Sequence, residues 1–272
     1  MSSFLFFQIT LGCYLIGTIL FLLYLVSKRE RLSRISLGVT GVGFIFHTGA
    51  IIVRTLEVGH IPLTNLQESM SFFSWALILA FLLVDFRYRI HVLGSFLLPL
   101  AFVSVTSAAF FPHQVRSLDP IFESPWFKIH TTFALLGTVS FAIAFLVGIM
   151  YLIQEKLLKS KRFNLVYYKL PSLDILDDLN QKAIFFGFPL LTLGILSGAL
   201  WANFAYGTYW SWDPKQIFSL FTWLFYLAVL HGRLTVGWRA KKAAYLAIIG
   251  FVGVVVTYFG VNIFLKGFDS LI

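Results

Sequence analysis

Eight apolar runs constrain this chain more than any other feature. They cover about 4–26, 35–53, 68–84, 91–111, 129–153, 183–205, 215–232 and 243–265. Each approaches or exceeds the ~20 residues that carry a helix across ~30 Å of hydrocarbon. Inside a bilayer every backbone N–H and C=O must be satisfied within the protein, so spans are helices or closed barrels, and runs of this length select helices. Composition agrees: 58% of the 272 residues are hydrophobic and only 12% are charged, a balance no soluble core requires. The expected fold is an all-α integral membrane protein, a bundle of about eight transmembrane helices in one polytopic domain over residues 1–272. The first run lacks a basic leader and a small-residue cleavage site and is expected to stay as a helix.

Charge then orients the bundle. Sixteen of the 21 Lys and Arg residues fall in the connections on one side, including Lys28, Arg29, Arg31, Arg34, Arg87, Arg89, Lys156, Arg233 and Arg239. Arg54, Arg116, Lys128, Lys215 and Lys266 occupy the other side. The positive-inside rule makes the first side cytoplasmic and puts both termini on the outer side. The net charge of +9 is thus distributed as membrane topology requires, and no nucleic-acid partner is expected.

Several function classes are excluded. Cys13 is the only cysteine, so the chain holds no CxxC pair, disulfide or thiolate metal cluster. No GxxxxGK[ST] loop is present, and the glycines of GVTGVG (Gly38, Gly41, Gly43) lie inside an apolar run, where close helix packing explains them better than phosphate binding.

The densest chemistry lies in YGTYWSWDPKQ, between the sixth and seventh runs, with LHGR at the far end of the seventh. Trp201, Tyr206, Tyr209, Trp210 and Trp212 crowd this stretch, and Asp213 and Pro214 close it. Trp and Tyr gather at membrane interfaces generally, and indoles also offer broad faces to a flat aromatic ligand. Asp213 before Pro214 has the form of a helix N-cap, the alternative being a hydrogen bond to an indole N–H. A loop from Arg54 to Ser69 (RTLEVGHIPLTNLQES) and another from Phe111 to His130 share the outer side. The cytoplasmic connection from Gln154 to Lys182 carries a helical pattern, Leu173, Ile175, Leu176 and Leu179 among Asp174, Asp177 and Asp178, and is expected to form an amphipathic helix on the inner surface.

The segments YGTYWSWDPKQ, LHGR, GHIPLTNLQES and SPWFKIHTTFALLG together resemble the CcsA–CcmC–CcmF group of cytochrome c assembly proteins, whose mark is the tryptophan-rich "WWD" segment, and most of all the CcsA branch. Tyr206 stands where that pattern has Trp. The resemblance implies membrane haem binding and delivery for c-type cytochrome biogenesis, with haem presented at the outer face under the tryptophan-rich segment. It also implies non-covalent, b-type haem at two sites, an apocytochrome c client, a membrane subunit of the CcsB/ResB type, and a place in the bacterial cytoplasmic membrane or an equivalent energy-transducing membrane. Together with such a subunit the chain would form part of a holocytochrome c synthase. The alternatives are a HemX-like haem-binding regulator of haem synthesis, and a haem transporter without a synthase role.

Imidazole is the common axial ligand of haem iron. Match and position single out His130 for an outer iron and His231 for an inner one. His231 lies 17 residues after Pro214, roughly 25 Å along a helix at ~1.5 Å per residue, so the two cannot share an iron. The family's second external histidine is replaced by Asp269 in VNIFLKGFDSLI. Asp269 then orients a ligand, or His60 or His113 substitutes, or the outer site is five-coordinate or unused. For the inner iron the second ligand is a partner chain, His91 or His47, in that order. Haem propionates favour cations, and Arg54, Arg116, Lys128 and Lys215 are the outer ones, with Lys215 nearest the aromatic segment.

Overall fold

The computed structural model describes residues 3–110 and 120–260, with the side chains of 259 and 260 left out. These residues are helical nearly throughout: α1 (Ser3–Val26), α2 (Arg31–Val58), α3 (Leu66–Tyr88), α4 (Gly94–Ala109), α5 (Pro125–Lys159), the short α6 (Leu165–Lys169), α7 (Leu173–Tyr206), α8 (Pro214–His231) and α9 (Ala240–Val255). Eight helical segments, one built on each named helix except α6, are long and apolar enough to cross a membrane. Large apolar side chains such as Ile45, Leu56, Phe86, Phe186 and Phe221 point outward, as a lipid-facing surface requires. The protein is a multi-pass membrane protein.

Several helices exceed the apolar runs that announce them, α7 most of all. The connection read as a separate amphipathic helix before the sixth span is instead the first ten residues of α7, continuous to Tyr206. Ser172 caps it by accepting the Ile175 N–H at 3.4 Å, Asp174 complements the first turn, and no Gly or Pro interrupts Leu173–Lys182. Likewise α5 continues to Lys159. Hydropathy finds the part of a helix that sits in hydrocarbon; capping and the absence of breakers set where it ends.

The chain divides into two compact units, Met1–Val115 with Lys156–Pro171, and Arg116–Glu155 with Ser172–Ile272. In the first, Tyr14, Phe21, Leu77, Phe81, Leu97 and Leu98 are fully buried, with Phe21 and Phe81 edge to face at 5.6 Å. Serines tie neighbouring helices: Ser95 donates to Phe21 C=O at 2.8 Å and Ser74 to Ala101 C=O at 2.9 Å. Of the GVTGVG glycines only Gly43 meets a partner. A Cβ there would lie 2.8 Å from that of Cys13 and 2.9 Å from the Tyr14 ring, whereas Gly38 and Gly41 face open space. Asn65 caps α3 by accepting Glu68 N–H at 2.8 Å. The Glu68 carboxylate returns to Thr64 N–H at 3.0 Å, so the Thr64–Glu68 turn is a reciprocal cap.

The second unit contains most of α5 with α7, α8 and α9. Phe141 stacks on Tyr226 at 3.6 Å. Asn180 donates to Ala144 C=O at 2.7 Å, and the Trp223 indole donates to Thr192 at 2.9 Å. Alternating helix directions bring the start of α5, the end of α7 and the start of α8 to one end of this unit, hereafter the tryptophan end. The starts of α7 and α9 and the end of α8 lie at the other.

Candidate haem site

At the tryptophan end, α5 lies against a face of α7 made of small residues, GILSG (Gly194–Gly198). This is the small-xxx-small spacing that lets membrane helices approach closely, and it seats His130. The His130 Nδ1–H donates to Gly194 C=O at 2.7 Å. A Cβ on Gly198 would stand 2.6 Å from that same Nδ1, so the ring can lie on α7 only because residue 198 has no side chain. Trp201, one turn further on, stacks parallel to the His130 ring at 6.4 Å with a 6° tilt. Committing Nδ1–H to a backbone carbonyl fixes the tautomer and leaves the Nε2 lone pair as the free donor, the arrangement found where histidine binds metal. Nε2 has no protein partner among the described residues.

Trp201 is itself anchored. Its indole N–H donates to Ile121 C=O at 2.9 Å, and its ring contacts Phe122, Phe127 and Tyr206. Beyond Gly207, a left-handed cap at φ 75°, the chain turns through residues 208–213. There Trp210 and Trp212 meet edge to face at 5.8 Å. Trp212 adopts φ 57°, a left-handed conformation that costs a non-glycine residue ~1–2 kcal/mol. Gln216 holds it: its side-chain carbonyl accepts Ser211 N–H at 2.8 Å and Trp212 N–H at 3.1 Å. Asp213 caps α8 by accepting Gln216 N–H at 3.0 Å and takes the Ser211 hydroxyl at 3.0 Å, so both its oxygens are spent on the turn rather than on an indole. Tyr206, Tyr209 and Trp212 are mostly exposed, while the Trp210 indole N–H is buried without an acceptor. Lys215 lies in the first turn of α8, directly after Pro214.

These features fit haem: an imidazole with a free Nε2 against a flat aromatic, a strained turn that displays a second indole, and a buried N–H that awaits an acceptor. Strain of this kind gathers at ligand sites. Neither the GILSG seat nor the Gln216 brace entered the sequence reading, although the GxxxG spacing immediately before Trp201 was a legible signal for the first.

The remaining histidines differ in what they leave free. His231 ends α8, is exposed, and shows no side-chain hydrogen bond among the described residues. His91 donates Nδ1–H to the buried carboxylate of Asp85 at 2.7 Å, again leaving Nε2 open. His47 is fully buried, with Nδ1 against the Tyr14 hydroxyl at 3.2 Å and Nε2 against Ser71 at 2.9 Å. Both of its ring nitrogens are engaged, so coordination there would break an existing bond. His60, on the Arg54–Ser69 loop, places Nδ1 3.1 Å from Ile61 C=O. Arg54 pairs with Glu68 at 3.4 Å. Asp269, His113, Arg116 and Lys266 lie outside the described residues.

Comparison with known proteins places the chain. The family model for "Cytochrome C assembly protein" matches residues 63–269. The chain belongs to the cytochrome c assembly protein family. A "Cytochrome c biogenesis protein CcsA" from Guillardia theta is 36% identical over 97% of this chain and 94% of its own length. The CcsA of Chlamydomonas reinhardtii is 37% identical over 89% of this chain and 69% of its own, and that of Prochlorococcus marinus strain AS9601 is 34% identical over 90% and 86%. Among solved structures, "Cytochrome c Heme Lyase CcmF" aligns with a TM-score of 0.69 at 18% identity, over 97% of this chain and half of that one. At that identity the likeness is one of fold. The expected CcsA-like family and all-α membrane fold both hold.

Proposed function

We propose that this protein binds haem and delivers it for the assembly of c-type cytochromes. The observation that carries the proposal is the seat of His130: Nδ1–H spent on Gly194 C=O, Nε2 open, and Trp201 stacked behind the ring. On this reading the tryptophan end faces outward, as the lysine and arginine bias requires. His130 ligates the iron of outer, non-covalently held haem. Trp201, Tyr206, Tyr209, Trp210 and Trp212 supply aromatic faces, the Trp210 N–H supplies a donor, and Lys215 supplies a cation for a propionate. His231 ligates an inner haem, with a CcsB/ResB-type subunit as the expected source of the second ligand. His91, held by Asp85 in the tautomer that exposes Nε2, is the next choice.

Haem here is cargo. The bond-forming chemistry is addition of the thiols of an apocytochrome CxxCH segment to the haem vinyl groups. This chain brings no nucleophile to it, since Cys13 lies in the middle of α1. Its work is to hold the flat substrate in one orientation, exclude water from one face and fix the iron's ligand, and such positioning accounts for several kcal/mol in well-oriented reactions.

The test is the optical spectrum of the protein purified with its bound haem, as wild type, His130→Ala and His231→Ala. Separate losses from the two variants support two stations. If no haem co-purifies even when a ResB-type subunit is co-expressed, the tryptophans are an interfacial belt and the proposal fails. Undiminished covalent cytochrome c after deletion of the gene instead leaves haem binding intact and turns the assignment toward a HemX-like regulator or a transporter.

A further inference from the structure

His231 depends on its backbone for its direction. It ends α8 on an exposed position, and no side-chain hydrogen bond among the described residues fixes its ring. The backbone that follows is not α-helical: Gly232–Val236 forms a π-turn, a widened turn that occurs as a rare, single-turn feature and often at functional sites.

The Thr235 hydroxyl donates to His231 C=O at 2.7 Å within this turn, and Trp238 and Arg233 hold it from outside. Trp238 packs on Gly232 so closely that a Cβ there would run into its ring, and its backbone N–H donates to Gly232 C=O at 2.9 Å. Arg233, two residues after the histidine, turns inward and is only 1% exposed at its side chain. Its guanidinium reaches Asp177 on α7 through both terminal nitrogens, at 3.2 and 3.0 Å from Oδ1, and also donates to Asp177 C=O at 3.1 Å. The same Oδ1 accepts the N–H of Ala240, the first residue of α9, at 3.1 Å. One carboxylate therefore fixes the chain on both sides of residues 234–239.

We propose that Asp177 is a positioning residue for His231, acting through Arg233 and the π-turn to hold the imidazole in the orientation that binds iron. The inference rests on the reading of His231 as an iron ligand. Among the described residues Asp177 is the only carboxylate in ion-pair contact with Arg233, and the Nε of Arg233 is buried without an acceptor, so this guanidinium has one charged anchor and no substitute for it. A buried cation deprived of its partner must move or recruit water. Arg233 is the second residue of the turn that begins immediately after the histidine, so loss of its anchor loosens that turn.

The test uses the full chain purified with its haem, as Asp177→Asn, Arg233→Lys and His231→Gly. Asp177→Asn is expected to lose the low-spin band that depends on His231, to keep the band that depends on His130, and to regain the former when imidazole is added, as His231→Gly does. Arg233→Lys keeps the charge but not the two-nitrogen contact and is expected to weaken the same band; it also decides the matter if the aspartate variant does not fold. The inference is overturned if both variants keep the His231-dependent band. It is equally overturned if both lose the two bands together and imidazole restores neither, because the ion pair is then merely structural. His231→Gly separates the two levels. If it alone leaves the spectrum unchanged, the iron-ligand reading falls and this inference with it. If it removes the band while the other two variants keep theirs, only the positioning role falls.

Discussion

Adding one methyl group at Gly198 should disable the outer haem site without touching a ligand. The Cβ of Gly198→Ala would sit 2.6 Å from His130 Nδ1 and 2.8 Å from Cε1, while ordinary contact begins near 3.4 Å. If the ring retreats along that line it moves by about 0.8 Å, and the 2.7 Å bond to Gly194 C=O lengthens by up to that amount, at most to ~3.5 Å, the limit of a hydrogen bond. Losing that bond costs ~1 kcal/mol, and overpacking the α5–α7 contact adds ~1–3 kcal/mol. Free of Gly194, the imidazole can also adopt the other tautomer, which places the proton on the nitrogen meant for iron. A displacement of ~1 Å at a positioning group lowers a rate by ~100-fold, so covalent cytochrome c output should fall by about that factor while the fold survives. Thermal unfolding in detergent and the His130-dependent haem band, measured side by side, check both halves. A Gly198→Ala protein with a wild-type spectrum and wild-type output would refute the claim that the GILSG face seats the ligand.

Other outcomes follow from the same contacts. Trp212→Gly relieves the φ 57° backbone while removing an exposed ring, so its melting midpoint should stay within the range set by ~1 kcal/mol while haem retention falls; equal haem retention would deny Trp212 a role in the site. His47→Phe strands the Tyr14 and Ser71 hydroxyls and should cost ~1–3 kcal/mol for each with haem content per folded molecule unchanged, so loss of a haem band from well-folded protein would reinstate His47 as a ligand. Asp269→His should convert the outer haem to a six-coordinate low-spin spectrum if the missing imidazole is what the site lacks, and an unchanged spectrum rules that out.

The sequence shows most of the architecture because lipid makes it explicit: a bilayer demands long apolar stretches, and eight of them can be counted. What it does not show is where a helix outlasts its membrane segment. Residues 173–182 read as a surface helix because their apolar positions are sparse, yet they are the first three turns of α7, and this extension carries Asp177 to the end of α8. The Asp213 cap and Pro214 are legible since N-caps act locally. The brace from Gln216 to Trp212 is not, because a positive φ at tryptophan violates backbone preference and exists only where surrounding bonds impose it.

The histidines make the same distinction more sharply. Motif and position put His130 and His231 ahead of His91 and His47, but each is an imidazole in or beside an apolar run, and the pattern does not say which ring nitrogen is free. Structure separates them by asking which ring nitrogen is already used. In His130 and His91 one nitrogen is committed to a carbonyl or a carboxylate and the other is left open, in His47 both are bonded, and in His231 neither is. Sequence cannot supply this sorting because the decisive partners lie far along the chain: Gly194 is 64 residues from His130, and Asp177 is 56 from Arg233. On the proposed reading a ligand role depends less on the histidine than on the second group that holds it, and three of the groups so proposed (Gly194, Gly198 and Asp177) are on α7. That helix runs from the end that carries His231 to the end that carries the tryptophans, so a substitution anywhere along its packed face should be read for its effect on both histidines.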